Sequence, residues 1–201
     1  MSHSDSLIAE LDAVLGRAST AQRLDMLRRV VELFVRQADS YSPDHVGVFD
    51  DVISRLIDDK MERSSLVELA GKLASVDNAP ANVVGRLSAD NSIGVSRVML
   101  ENSKAIKDDT LVEIAKTKGH DHLAAIANRA SLSAPVTDVL VERGGPELTR
   151  KIIANDKARI SEMGFCKIIN DASRDKDLAA AIAKRTDIPA ELEPFLKQAL
   201  A

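Results

Sequence analysis

Apolar residues recur at three- and four-residue steps along most of the chain. Leu24, Leu27, Val30, Val31, Phe34 and Ala38 form one such stripe with a polar back, the spacing of an amphipathic helix. Ser19-Thr20-Ala21-Gln22 precedes it; a hydroxyl there can satisfy an orphan amide while the Gln22 side chain reaches back. Ser42-Pro43 marks a second start, with a hydroxyl cap and a proline where its missing N–H costs nothing. Val46, Phe49, Val52, Ile53, Leu56 and Ile57 are its predicted core face, and Leu66, Leu69, Ala70 and Leu73 mark a further helix. No window sustains strict alternation, and Asn-Gly and Asp-Gly hairpin turns are absent, so the chain reads as all-α.

From Pro80 the pattern also repeats on a longer scale. Pro80, Pro135 and Pro189 each precede an apolar helix at intervals of 55 and 54 residues, which divides into units of about 27, within the range of helical repeats. Intermediate starts fall at Asp108-Asp109-Thr110-Leu111 and Ser161-Glu162-Met163. In the first helix of each unit the matching apolar places are Val83, Val84 and Leu87; Leu111, Val112 and Ala115; Phe165, Cys166 and Ile169. Val136, Val139 and Leu140 fit less well. In the second helix, Leu100, Ile126, Ile153 and Ile182 each sit two positions before Asn102, Asn128, Asn155 and Lys184. Gly119, Gly144, Gly145 and Pro146 fall where turns belong. Pro194 lies inside the last apolar pattern and predicts a helix that is kinked or starts late. A unit of two helices cannot bury its face alone, so such units stack.

The chain has 201 residues, and its low glycine and proline counts, 9 and 6, exclude collagen-like and low-complexity classes. No apolar run is long enough to span a membrane. Met1–Ser6 is polar and lacks the features of a secretory signal. The single cysteine cannot form an intramolecular disulfide, which suits a reducing cytoplasm. Residues 1–79 carry 9 basic and 14 acidic side chains and the remainder 18 and 17, so neither part has the basic excess of a nucleic-acid binder.

Candidate chemistry is sparse. Gly119-His120-Asp121-His122 is the one local cluster of metal-ligand types, with His120 and His122 as weak candidates, but a closed zinc site wants four ligands. The alternative places Gly119 at a helix end, Asp121 as the next cap, and both imidazoles exposed at the turn. Cys166 matches inward positions and so reads as a small buried hydrophobe. Asp44, Asp51 and Asp58 share one helix face, with Asp50 and Asp59 alongside, and read as a solvated acidic face. No nucleophile elbow, Walker loop or dinucleotide fingerprint is present. Asn102, Asn128 and Asn155 recur near the ends of the second helices, where Asn tolerates a left-handed end. They could also line a groove with Arg97, Arg129, Arg150, Lys151 and Arg185, since solenoids bind along concave surfaces.

Arg23…Leu27…Leu33-Phe34…Ala38, Phe49-Asp50…Leu56, Leu73-Ala74…Ala79-Pro80…Leu87…Asp90 and Leu123-Ala124-Ala125-Ile126-Ala127-Asn128-Arg129 together resemble a bacterial, mostly alphaproteobacterial, all-helical family known as domain-of-unknown-function family 2336. The resemblance covers nearly the whole chain and its motifs are structural. It implies a HEAT-like or leucine-rich-variant-like array and brings no activity, cofactor or catalytic residue with it. Members can be longer, and Ala201 directly follows an apolar helix, so the chain is expected to be one module of such an architecture or a shortened form of it.

The expected fold is therefore all-α, a right-handed helical-repeat solenoid over residues 80–201 with an N-terminal helical bundle over residues 1–79. The leading functional expectation is a non-enzymatic protein-interaction or regulatory scaffold, cytoplasmic and without a cofactor, that presents a helical-repeat groove to a protein partner. A homodimer through the N-terminal helices stays open. The alternatives are a sensory domain binding a small anionic ligand in the same groove, and a nucleic-acid-acting HEAT-like enzyme. A net charge of −4, no Trp and one Tyr count against the last, which needs phosphate neutralisation and base stacking.

Overall fold

A computed structural model describes residues 16–200. The polar stretch Met1–Ser6 lies outside them. Among the described residues there are twelve α-helices and no strand, so the all-α expectation holds. They are α1 (Thr20–Gln37), α2 (Pro43–Leu56), α3 (Arg63–Leu73), α4 (Ala81–Ser88), α5 (Ile93–Asn102), α6 (Asp108–Thr117), α7 (His120–Ala127), α8 (Ala134–Arg143), α9 (Gly145–Ile153), α10 (Glu162–Ala172), α11 (Lys176–Ile182) and α12 (Glu193–Leu200). Two compact units are distinguished: described residues up to Met99 together with Ser103–Ile106, and Leu100–Asn102 together with the residues from Lys107 on.

In the first unit, the sequence signals act where they were read. Ser19 and Gln22 form a reciprocal capping box at the start of α1, satisfying two orphan amides at once. The Ser42 side chain accepts from the His45 amide, with Pro43 in the first turn of α2. α1 packs on α2 and α3, α2 on α4, and α3 on α4. Phe34 is buried, and its ring lies 5.1 Å from that of Phe49 and 5.8 Å from that of Tyr41. Phe34 is core, and the half-buried Tyr41 and Phe49 pack on it at the junction of α1 with the start of α2.

The acidic face of α2 needs two corrections: the helix ends at Leu56, so Asp58 and Asp59 lie beyond it and do not share its face, and Asp50 does not face solvent. Asp50 is buried, and its two carboxylate oxygens accept from the amides of Asn82, at 2.9 Å, and Val83, at 3.0 Å. The N-cap of α4 is Pro80, which has no side-chain donor or acceptor to offer. A carboxylate from another helix therefore does the capping, and its negative charge also suits the positive end of the helix dipole.

In the second unit, α6 packs on α8, α8 on α10 and α10 on α12; α7 packs on α9 and α9 on α11. Members of the two layers also meet pairwise, α6 with α7, α8 with α9 and α10 with α11. In the second-helix repeat Leu100, Ile126, Ile153 and Ile182 are buried, and of the residues one step earlier Met99, Ala125 and Ile152 are buried while Ala181 is half-buried. Of the first-helix places, Val83, Val84 and Leu87 are buried as read, and so are Val136, Val139 and Leu140. In the other two units one member changes, since the buried triads are Leu111-Ile114-Ala115 and Phe165-Ile168-Ile169, with Ile114 and Ile168 in place of Val112 and Cys166. Cys166 accordingly faces out and is exposed. Gly145, the first residue of α9, takes φ 72 where the chain turns from α8, a left-handed conformation open to glycine without a Cβ penalty. Pro194 is the second residue of α12, preceded by a 3₁₀ turn over Ala190–Leu192, so that helix starts late.

Asp50→Ala is expected to destabilise the folded chain by about 1–2 kcal/mol, the cost of losing a buried cap. Asp50→Asn, which keeps one acceptor oxygen, should lose less. Urea denaturation followed by circular dichroism measures both, and equal stability of all three proteins would contradict the capping role.

Candidate functional site

Of the eight basic and amide side chains expected to line a groove, Arg129, Asn155 and Arg185 are engaged with the chain's own backbone. Arg129 follows α7, is half-buried, and donates from Nη1 to the Leu100 carbonyl at 2.8 Å. Arg185 follows α11 with only 5% of its side chain exposed. It donates to the carbonyls of Ile153, Asn155 and Ala158 at 3.2, 3.1 and 2.9 Å and pairs with Asp187. Asn155 donates to the Arg129 carbonyl at 3.0 Å, and Asn128 to Glu101 at 2.7 Å. Arg150 pairs with Asp175, whose other oxygen caps α11 through the Leu178 amide. Arg97, Asn102 and Lys151 are exposed. The structure thus joins Arg129, Asn155 and Arg185 in one internal network rather than lining them up toward solvent. None of the three asparagines takes a left-handed conformation, because among the described residues no non-glycine has positive φ.

The reason lies in helix termini. The last four carbonyls of a helix have no intrahelical partner, and a guanidinium supplies several donors in a planar fork. The same device recurs with Arg86 on Ile57 and Arg143 on Ala115. These bonds span 29 and 28 residues, and that of Arg129 on Leu100 spans 29, close to the repeat length read from the sequence. Burial lowers the Arg129 pKa, partly offset by the charge of Asp108; a guanidinium nevertheless stays protonated. The hydrogen bond from Arg185 holds the Asp187 carboxyl below its usual range.

The histidine cluster also comes apart. Gly119 is the N-cap of α7, Asp121 lies in its first turn, His120 is exposed and His122 is buried. The expectation that both imidazoles face solvent is corrected for His122, since residues two apart on a helix point to different sides. Among the described residues no group of three His, Cys, Asp or Glu is placed to hold a metal.

What sequence reading missed is a groove of about 550 Å³ between α10 and α12, walled by Cys166, Ile169 and Asn170 on one side and Phe195 and Gln198 on the other, with Leu192 from the 3₁₀ turn. α10 is placed by Ser161, whose hydroxyl accepts from the Gly164 amide and donates to Asp138 at 2.7 Å. A Cβ on Gly164 would stand 2.8 Å from Asp138 Oδ1, so only glycine allows that approach. Pro189 and Pro194 bracket the turn that delays the start of α12. Of the chain's four phenylalanines and one tyrosine, Phe34, Tyr41 and Phe49 close on one another and Phe165 is buried. Phe195 is 61% exposed at the groove. The signal available in the sequence was its place beside Pro194 and one residue off the inward-facing Leu196.

Residues 95–193 match the model of a family described as an uncharacterised protein conserved in bacteria (DUF2336), the family that the sequence resembles. The chain thus carries a domain of that bacterial family, over about half its length; the motifs quoted between Arg23 and Asp90 lie outside the matched stretch, as does Phe195. No curated protein and no solved structure matches the chain. Among the described residues no helix is long and apolar enough to cross a membrane.

Two measurements check this geometry. An aromatic disulfide reagent should titrate the Cys166 thiol in the folded chain at a rate close to that of the denatured chain, whereas strong protection would put it back inside. Because Asp187 has a depressed folded pKa, the Arg185–Asp187 pair stabilises the fold above the ordinary carboxyl value of 3.8 and loses that contribution as pH falls through the folded value. Asp187→Asn should therefore cost stability at pH 7 and bring the difference from the native chain toward zero in strong acid, read by thermal melts across pH.

Proposed function

We propose that the chain is a non-enzymatic, HEAT-like helical-repeat interaction module of the cytoplasm, and that it holds a protein partner at the groove between α10 and α12. The observation that carries this reading is the placement of Phe195. In a chain with so few aromatic side chains, the others are committed to packing, and this one stands exposed beside an apolar groove. An exposed aromatic next to a pocket is the arrangement from which interface anchors are drawn. Asn170 and Gln198 at the walls supply amide donors and acceptors that can orient a bound segment. The single cysteine suits a reducing compartment.

The layering of the second unit supports the module reading, since short helices stacked in two layers with long-range caps present a stiff surface. The reading of a small anionic ligand held by a basic stripe loses its main supports, because Arg129 and Arg185 spend their donors on main-chain carbonyls. The nucleic-acid reading keeps the charge and aromatic deficits that weigh against it.

A photo-reactive side chain placed at position 195 should give a discrete cross-linked protein species in native cytoplasm, and one placed at the exposed Glu113 of α6 should not. Phe195→Ala should then weaken binding of the identified partner by at least about 1 kcal/mol, roughly fivefold, with the circular dichroism spectrum unchanged. No species at position 195, or an equal one at position 113, would overturn the proposal.

A further inference from the structure

Four helix ends of the second unit are tied in series, and each link enters one residue by its side chain and leaves by its carbonyl. The Leu100 carbonyl, in the last turn of α5, accepts from the side chain of Arg129. The Arg129 carbonyl, just past α7, accepts from the side chain of Asn155. The Asn155 carbonyl, just past α9, accepts from the side chain of Arg185, which lies just past α11. Arg185 is then braced by Asp187 at 2.7 Å and by two further carbonyls, Ile153 and Ala158. A shift of any one helix end moves the acceptor on which the next depends.

Ordinary capping does not have this form. A local cap joins a side chain to the terminus of its own helix and stabilises that helix alone. Here the links run between residues 29, 26 and 30 apart. They also fall on helices of only 8, 9 and 7 residues, lengths at which a helix in water is not stable by itself. In stacked helical units held by nearest-neighbour packing alone, opening is easiest at the ends and spreads unit by unit. The shortest of these helices, α11, would then be among the first to open.

We propose that the Leu100–Arg129–Asn155–Arg185 ladder is a conformational coupling device that makes α7, α9 and α11 open and close as one block. The ladder goes beyond the partner-binding reading and does not rest on it, since none of its members lines the α10–α12 groove. Its consequence for the molecule is that a disturbance at the Arg185–Asp187 end is felt at α7, two helices away along the same layer.

Native-state hydrogen exchange on the full chain tests this. In the unmodified protein the slowest amides of α7, α9 and α11 are expected to share one opening free energy. In Asn155→Ala, which cuts the middle link, the shared value should be lost: protection should fall by a factor of about ten, the loss expected for a side-chain-to-carbonyl hydrogen bond, and α7 should no longer open together with α9 and α11. Arg129→Met cuts only the link to Leu100 and leaves those between α7, α9 and α11, so the three helices should still share one value, lowered together; this separates the ladder from the second bond that Asn155 makes, to the Lys157 amide. Graded protection in the unmodified protein, with α11 the least protected, would overturn the proposal, and so would a loss in the variants confined to residues 154–160. The unmodified protein alone decides the matter if neither variant folds.

Discussion

The second unit depends on a single constraint: its helices are short, and a short helix has a large share of its carbonyls unpaired. A helix of eight residues leaves four carbonyls without an intrahelical partner, half of its acceptors. Water can satisfy them at the surface, but inside a stack of helices donors must come from the protein. Guanidinium and amide groups one helical pair further along the chain are long enough to reach back, and Arg129, Arg143, Arg185 and Asn155 do so. Residues that would mark a binding stripe on an isolated helix are thereby drawn into the scaffold.

The first unit meets the same problem with the opposite charge. α4 begins at a proline that cannot cap it, and Asp50 from α2 supplies the acceptors for two of its amides. Arg86 at the far end of that helix reaches Ile57 and Asp59. Polar side chains thus tie both ends of α4 to the segment running from α2, while Phe34, Tyr41 and Phe49 fill the apolar space beside it. With aromatic and charged groups assigned to construction in this way, the surface that remains for recognition is apolar and local, and the groove beside Phe195 is its clearest expression.

Much of the helix pattern was legible because it is local. The Ser19–Gln22 capping box, the Ser42-Pro43 start, the Ser161 cap and the delayed start at Pro194 all involve residues within a turn of one another. The inward-facing residues of the second helices follow from a period that survives any change of partner. Cys166, His122 and Asp50 went the other way. Each sits at a helix position where neighbouring apolar residues leave two registers nearly equivalent, and a step of one residue turns a side chain by about 100°. The choice is made by whichever helix packs against it, which a single helix does not reveal.

The sequence by itself determined that this chain is helical, roughly where many of its helices begin, most of the residues of their apolar faces, and that no familiar catalytic motif runs through it. It also held the interval of about 27 residues at which long-range links recur, a spacing typical of stacked helical units. Only the tertiary structure decided what that interval is used for. A guanidinium on an exposed-looking helix end has the same local sequence whether it meets a ligand or a carbonyl. The difference lies in whether another helix terminates within reach, and that is fixed by packing between residues far apart in the chain. The α10–α12 groove is non-local in the same sense, since it exists because two helices 21 residues apart at their nearest ends lie side by side and one of them starts late.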